Sequence, residues 1–141
     1  MYLLISTPVN DHFSVAIGTK KVLDNKAVAK EYSQAELLLK TINDLLVANK
    51  KKLKDLKGII IVQGPGAFSA LRIGISTANA LAYSLNIPIA PIRLKEIGDH
   101  LKDSLDLEKA FLNGLKKLKN KTKFDLKKVV KPFYGAEPNI G

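Results

Sequence analysis

Few residues of this chain could do chemistry, and the best placed gather at one turn. An apolar run ends at Val62, and Gln63-Gly64-Pro65-Gly66-Ala67-Phe68-Ser69 then leads into a segment of small residues. A glycine-rich turn between a buried strand and a helix start presents backbone N–H groups, and the helix dipole adds partial positive charge there. On those terms Gly64, Gly66, Ser69 and Arg72 could hold an anion. The spacing fails both strong nucleotide tests, with no GxxxxGK[ST] and no GxGxxG followed by an acidic residue at the next strand end. Arg72 is the only charge between residues 58 and 92, so holding an anion competes with pairing to a nearby acid or helix carbonyl. His12 and His100 are far apart, with no acidic neighbour at metal-ligand spacing. Asp11 sits in the turn context VNDH, and no serine occupies a GxSxG elbow. The chain has no cysteine, which excludes disulfides, thiolate metal sites and cysteine nucleophiles. No catalytic set is visible, and neither a cofactor nor a metal is expected.

The elements that must position this turn follow from hydrophobic periodicity. YLLIST is a short strand pattern and PVND a turn; HFSVAIG alternates, and a polar corner and KVLDNKAV follow, so two or three antiparallel strands are predicted at the N-terminus. At Tyr32 the period changes. Ser33 and Glu36 have capping-box spacing, and Tyr32 and Leu37 stand at the positions of a hydrophobic staple. Leu38, Ile42, Leu45 and Leu46 recur at helical spacing, predicting a helix over about 34–48. GIIIV, at 58–62, is continuously apolar, as a strand covered on both faces must be. A helix over about 67–85 and a strand at 89–92 complete a parallel crossover. Apolar positions from 94 to 119 predict one long or two shorter helices with Gly114 a weak point, and the chain is expected to end in a short strand and an extended tail. No internal repeat is present.

The helix after the glycine turn is unusual. Leu71, Ile75, Ala78, Ala82 and Leu85 form one face, suited to a sheet. The other positions include Ala70, Ile73, Gly74, Ser76, Thr77, Ala80, Leu81 and Ser84, small or apolar almost throughout. A helix apolar nearly all round is buried on both sides. A partner subunit is the more economical cover; the alternative is that the C-terminal helix folds over it.

The length of 141 residues suits one domain with its own core. No apolar run reaches membrane-spanning length and no signal-peptide pattern opens the chain, so it reads as cytoplasmic and unprocessed. The formal net charge is +10, with 21 of the 23 basic residues lysine. These lysines lie at 19–57 and 93–141, outside the glycine turn, and lysine makes a diffuse solvated surface more readily than bidentate phosphate contacts. A small basic RNA-binding module therefore ranks last: only KPFYG approaches aromatic-basic interleaving.

The stretch GIIIVQGPGAFSALRIGISTANALAYSLNIPIAPI is similar to the signature of the bacterial TsaB (YeaZ) family, in which a strand runs into a GPGSFTGLRIG corner, a helix with an AxxLA ending and a closing IP. Gly64, Pro65, Gly66, Phe68, Leu71, Arg72, Ile73, Gly74, Leu81, Ala82, Ile87 and Pro88 match it, and Ser69 supplies a hydroxyl where the pattern has threonine. EYSQAELLLKTINDLL resembles the family's first helix through Ser33, Leu38, Ile42 and Leu46. KPFYGAEPNI resembles its closing segment through Pro132, Tyr134 and Pro138.

The resemblance implies an α/β fold of the actin-like ATPase (ASKHA, ribonuclease-H-like) type, a mixed sheet with flanking helices. Residues 1–93 would form that domain and 94–141 a helical segment and tail completing it, with the second domain reduced. It also implies a non-catalytic scaffold that dimerises with TsaD in threonylcarbamoylation of adenosine 37 of tRNA, with TsaE docking on the pair and tRNA reached indirectly through the complex. For the chain alone, a homodimer and a monomer both stay open. The implied partner surface is the first two helices, through Leu38, Ile42, Ala70, Ile73, Gly74, Thr77 and Leu81. In place of the family's strand-one Ile-Asp-Thr stands Ile5-Ser6-Thr7, and Tyr32 stands where its helix-one histidine would be. The alternative from another class is a nucleotide-binding ASKHA-type ATPase using the Gly-Pro-Gly loop.

Overall fold

The computed structural model describes residues 1–7, 12–29, 34–66, 68–97 and 106–133. Five strands form one mixed sheet in the order β3-β2-β1-β4-β5. Strands β1 (Tyr2–Ser6), β2 (His12–Gly18) and β3 (Val22–Ala29) make an antiparallel meander, the three-strand form of the expected N-terminus. Helix α1 (Gln34–Ala48) leads through a 3-10 turn to β4 (Gly58–Gly64), which lies parallel to β1. Helix α2 (Phe68–Leu85) then crosses back to β5 (Ile89–Arg93), parallel to β4. The expected capping box and staple at Tyr32 and Ser33 lie outside the described residues.

The apolar alternation of each strand feeds two cores. Leu3, Ile5, Val15, Ile17, Ile59 and Ile61 point to the side covered by α1 and α2. Leu4, Ala16, Ile60, Val62, Ala90 and Ile92 point to the other, covered by α3 (Leu107–Leu118) through Ala110, Phe111 and Leu118. Because both faces of β4 are covered, none of its aliphatic positions needs to be polar, hence the unbroken GIIIV.

One alternative is set aside and two expectations change. Helix α3 does not fold over α2; it lies on the opposite face of the sheet, where Phe111 is fully buried. Gly114 is no weak point. A Cβ there would run into the Ile60 side chain, so glycine is what lets α3 approach β4 closely. The C-terminal strand is absent among the described residues: a 3-10 turn at Leu126–Lys128 leads into an extended segment, 129–133, without ladder pairing. The Asn79 and Gln63 side chains and one main-chain bond to Gln63 hold that segment instead.

Candidate functional site

At the end of β4 the chain turns through Gly64, whose φ of 128° lies in the region open to glycine. A Cβ at this position would also meet the Phe133 carbonyl oxygen. The Phe133 N–H donates to the Gln63 carbonyl at 3.0 Å, and Gln63 Nε2 donates to the Lys131 carbonyl at 2.7 Å. From β5, the Arg93 guanidinium stands 3.9 Å from the centroid of the Phe133 ring, a cation–π arrangement. Arg93 Nε also donates to Gln63 Oε1 at 3.4 Å. Residues 131–133 thus close over the carboxyl ends of β4 and β5, where open α/β sheets place their ligands. A carbonyl oxygen facing Gly64 repels an anion, and Arg93 at the end of β5 is turned onto an aromatic ring.

The four anion-loop candidates are divided. Gly64 is buried under Phe133 and Gly66 is half-buried, whereas Ser69 and Arg72 are exposed together on a groove beside α1. At the end of β1, Ser6 and Thr7 are buried. The Thr7 hydroxyl donates to the Ala70 carbonyl at 2.8 Å, and Gly74 packs on the same hydroxyl, where a Cβ would collide. Position 6, the carboxylate position of the family pattern, therefore holds a buried hydroxyl. Among the described residues no three His, Asp or Glu side chains come together as a metal site. His12 is exposed at the start of β2, and His100 lies outside the described residues.

The predicted partner surface is also divided. Leu38, Ile42 and Ala70 are fully inaccessible and Leu81 is 9% exposed; all four belong to the core, as does buried Gly74. Helical spacing does not separate a face turned to the sheet from one turned to a neighbouring helix, which is why core residues entered that set. Ile73 and Thr77 are half-buried and line an open groove of about 410 Å³ with Ala35, Ser69, Arg72 and Ser76. Leu39, 49% exposed, lies one turn along α1 from Ala35.

Further along α2 the chain itself makes contact at Asn79 and at the edge of the exposed Tyr83 ring. Asn79 Nδ2 donates to the Val130 carbonyl at 2.9 Å, and the Val130 N–H donates to Asn79 Oδ1 at 3.1 Å. Tyr83 meets Phe124 edge-on with centroids 5.7 Å apart. Asn79 and Tyr83 are the larger polar exceptions on this otherwise small and apolar helix, and the structure gives each a partner in the C-terminal part of the chain.

The model of the family described as "TsaD: tRNA N6-adenosine threonylcarbamoyltransferase" matches residues 26–96, half of the chain. The chain is 38% identical over 90 residues to the tRNA N6-adenosine threonylcarbamoyltransferase of Geotalea uraniireducens, an alignment covering 64% of this chain and 25% of that protein. It is 38% identical over 87 residues to the tRNA threonylcarbamoyladenosine biosynthesis protein TsaB of Buchnera aphidicola subsp. Schizaphis graminum, covering 62% of this chain and 41% of that one. Among solved structures it resembles YeaZ from Pseudomonas aeruginosa, with a TM-score of 0.61 and 28% identity over 68% of this chain and 45% of that one. The mixed sheet with flanking helices is the fold shared with YeaZ and the actin-like ASKHA proteins. The chain spans less than half the length of these relatives.

Proposed function

The chain belongs to the tRNA N6-adenosine threonylcarbamoyltransferase (TsaD) family, and on that premise we propose that it acts in tRNA threonylcarbamoyladenosine biosynthesis as a non-catalytic subunit that pairs with TsaD. The observation that carries the non-catalytic reading is the closed carboxyl edge of the sheet. Ser6 supplies no carboxylate there, and residues 131–133 lie over Gly64. The similarity to the Buchnera and Pseudomonas proteins named TsaB and YeaZ supports the same role.

The pairing surface is the α1–α2 groove. Ile73 and Thr77 present contact atoms, with Leu39 beside them, while Leu38, Ile42, Ala70, Gly74 and Leu81 hold the two helices at the spacing that opens it. The subunit works in the cytoplasm and binds TsaD one to one. Docking of TsaE, and self-association when TsaD is absent, are further parts of the reading. Among the described residues no helix is long and apolar enough to cross a membrane.

Co-expression with TsaD of the same cell, followed by sizing, tests the pairing. A 1:1 complex is expected. Ile73→Glu should leave the monomer folded, because the position is half-exposed, yet weaken pairing by roughly a hundredfold or more by forcing an unpaired carboxylate into a desolvated contact. Wild-type pairing absent, or unchanged in Ile73→Glu, refutes the interface. Calorimetry with ATP and Mg²⁺ tests the non-catalytic reading, since tight binding would favour the ASKHA-type ATPase.

A further inference from the structure

Away from the closed edge, at the opposite ends of the parallel strands, lies an open groove of about 710 Å³. Four segments distant in sequence build it: the start of β1, the turn after β2, Lys57 just before β4, and the C-terminal end of α3 with the turn that follows. Lys20, Lys57, Lys116, Lys119 and Lys121 line it, with no aspartate or glutamate among the lining residues. None of the five is in an ion pair among the described residues; the ion pairs found join Lys40 to Asp44 and Lys117 to Glu96. The Met1 α-amine at its rim is held below its ordinary value by burial first, then by Lys57 and Lys51, with Asp55 opposing. Positive potential therefore collects here instead of being balanced locally. Thr19, Asn120 and Thr122 add uncharged donors between the lysines.

We propose that this groove, where five lysines meet without a lining acid, binds the sugar–phosphate backbone of structured RNA. It deepens the function proposed above and rests on it for the identity of the RNA, giving the chain its own hold on tRNA beside whatever its partner provides. A phosphate-dense polymer matches closely spaced cations with hydroxyl and amide donors between them. Lysines suit backbone positioning, since reading base edges calls on bidentate groups such as arginine. An acidic peptide is the weaker match. A bound strand seeks an unpaired sheet edge, and this groove opens on strand ends. It also lies on the α3 side of the sheet, away from the α1–α2 groove, so RNA and a protein partner fit together without competing for one face.

The test is fluorescence anisotropy of the full chain with an unmodified tRNA transcript from about 50 to 200 mM salt. Lys20→Gln/Lys116→Gln/Lys119→Gln/Lys121→Gln is compared with Lys26→Gln/Lys95→Gln/Lys127→Gln/Lys128→Gln, four exposed lysines outside the groove. Each lysine on a phosphate contributes about 0.7–0.9 to the slope of log K against log salt, so the groove variant should lose about 3 in slope and bind at least tenfold more weakly. The control variant should stay close to wild type, and both should keep their circular dichroism spectra. Equal losses in the two variants would mean diffuse attraction and overturn the proposal. So would no binding at the lowest salt, or competition by polyglutamate as effective per charge as by RNA. The groove variant should still co-purify with TsaD. Failure of wild-type pairing would count against the scaffold reading alone, because the RNA titration is done without a partner.

Discussion

Asn79→Ala isolates what holds the C-terminal segment over the glycine corner. Asn79 makes two hydrogen bonds to the backbone of Val130, one donated at 2.9 Å and one accepted at 3.1 Å. Both leave when the carboxamide is removed, and the Val130 N–H and carbonyl then have no ladder strand to turn to, because 129–133 is unpaired extended chain. Each such bond contributes about 0.5–1.5 kcal/mol net, so the docked segment should lose about 2 kcal/mol. If it opens locally, that corresponds to roughly thirtyfold faster amide exchange at Val130 and, through the linked bond to Gln63, at Phe133. Hydrogen exchange followed by mass spectrometry or NMR reads this directly. Amides in β1 and β4 should keep wild-type protection, since they close on the sheet. Unchanged exchange at Val130 and Phe133 would refute the idea that Asn79 is the clamp, and uniform acceleration would show that the segment is no separate unit.

Two further outcomes test the packing. Gly114→Ala should destabilise by about 1–2 kcal/mol in urea unfolding, despite alanine's better helix propensity, because the added methyl meets Ile60 under α3; a stabilised variant would mean that the contact is loose. Asp106 accepts from the Lys109 N–H at 3.0 Å as the N-cap of α3, so Asp106→Ala should lose about 1 kcal/mol, while Asp106→Ser should recover most of it.

Where one physical pattern dominates, the sequence was legible. The α1 range follows from Leu38, Ile42, Leu45 and Leu46, each buried against the sheet side. The unbroken β4 run follows from cover on both faces, and the parallel crossover from the order strand, helix, strand. Where two explanations share one pattern, pattern failed. The β-branched pair Val129-Val130 suggested a strand, but what fixes that segment is Asn79, some fifty residues away, and Gln63. Side chain to backbone bonds leave no periodic trace. Gly114 looked like a helix defect because propensity sees only the helix, whereas the reason for glycine is the sheet beneath it. The spare face of α2 was visible as composition, yet its division between the groove at Ile73 and Thr77 and the clamp at Asn79 depends on where the C-terminal segment lies.

The lysine groove was hidden for a related reason, and it bears on how such a chain works. Lys20, Lys57 and Lys116 are far apart in the sequence, and in each context the residue looks like an ordinary solvated lysine. They meet because β1 and β4 run parallel, so their starting ends share one edge with the turn leaving β2 and the end of α3. The same parallel arrangement brings Thr7, Gly64 and Arg93 to the other edge, where the chain's own residues 131–133 cover the corner. On the proposal made above, one topology separates a covered edge from an edge that holds the RNA backbone. Releasing the cover with Asn79→Ala should leave tRNA affinity within about twofold of wild type, since no lysine of the groove touches the clamp. A larger change in the same anisotropy titration would mean that the two edges are coupled through the sheet, and the division of roles would fail.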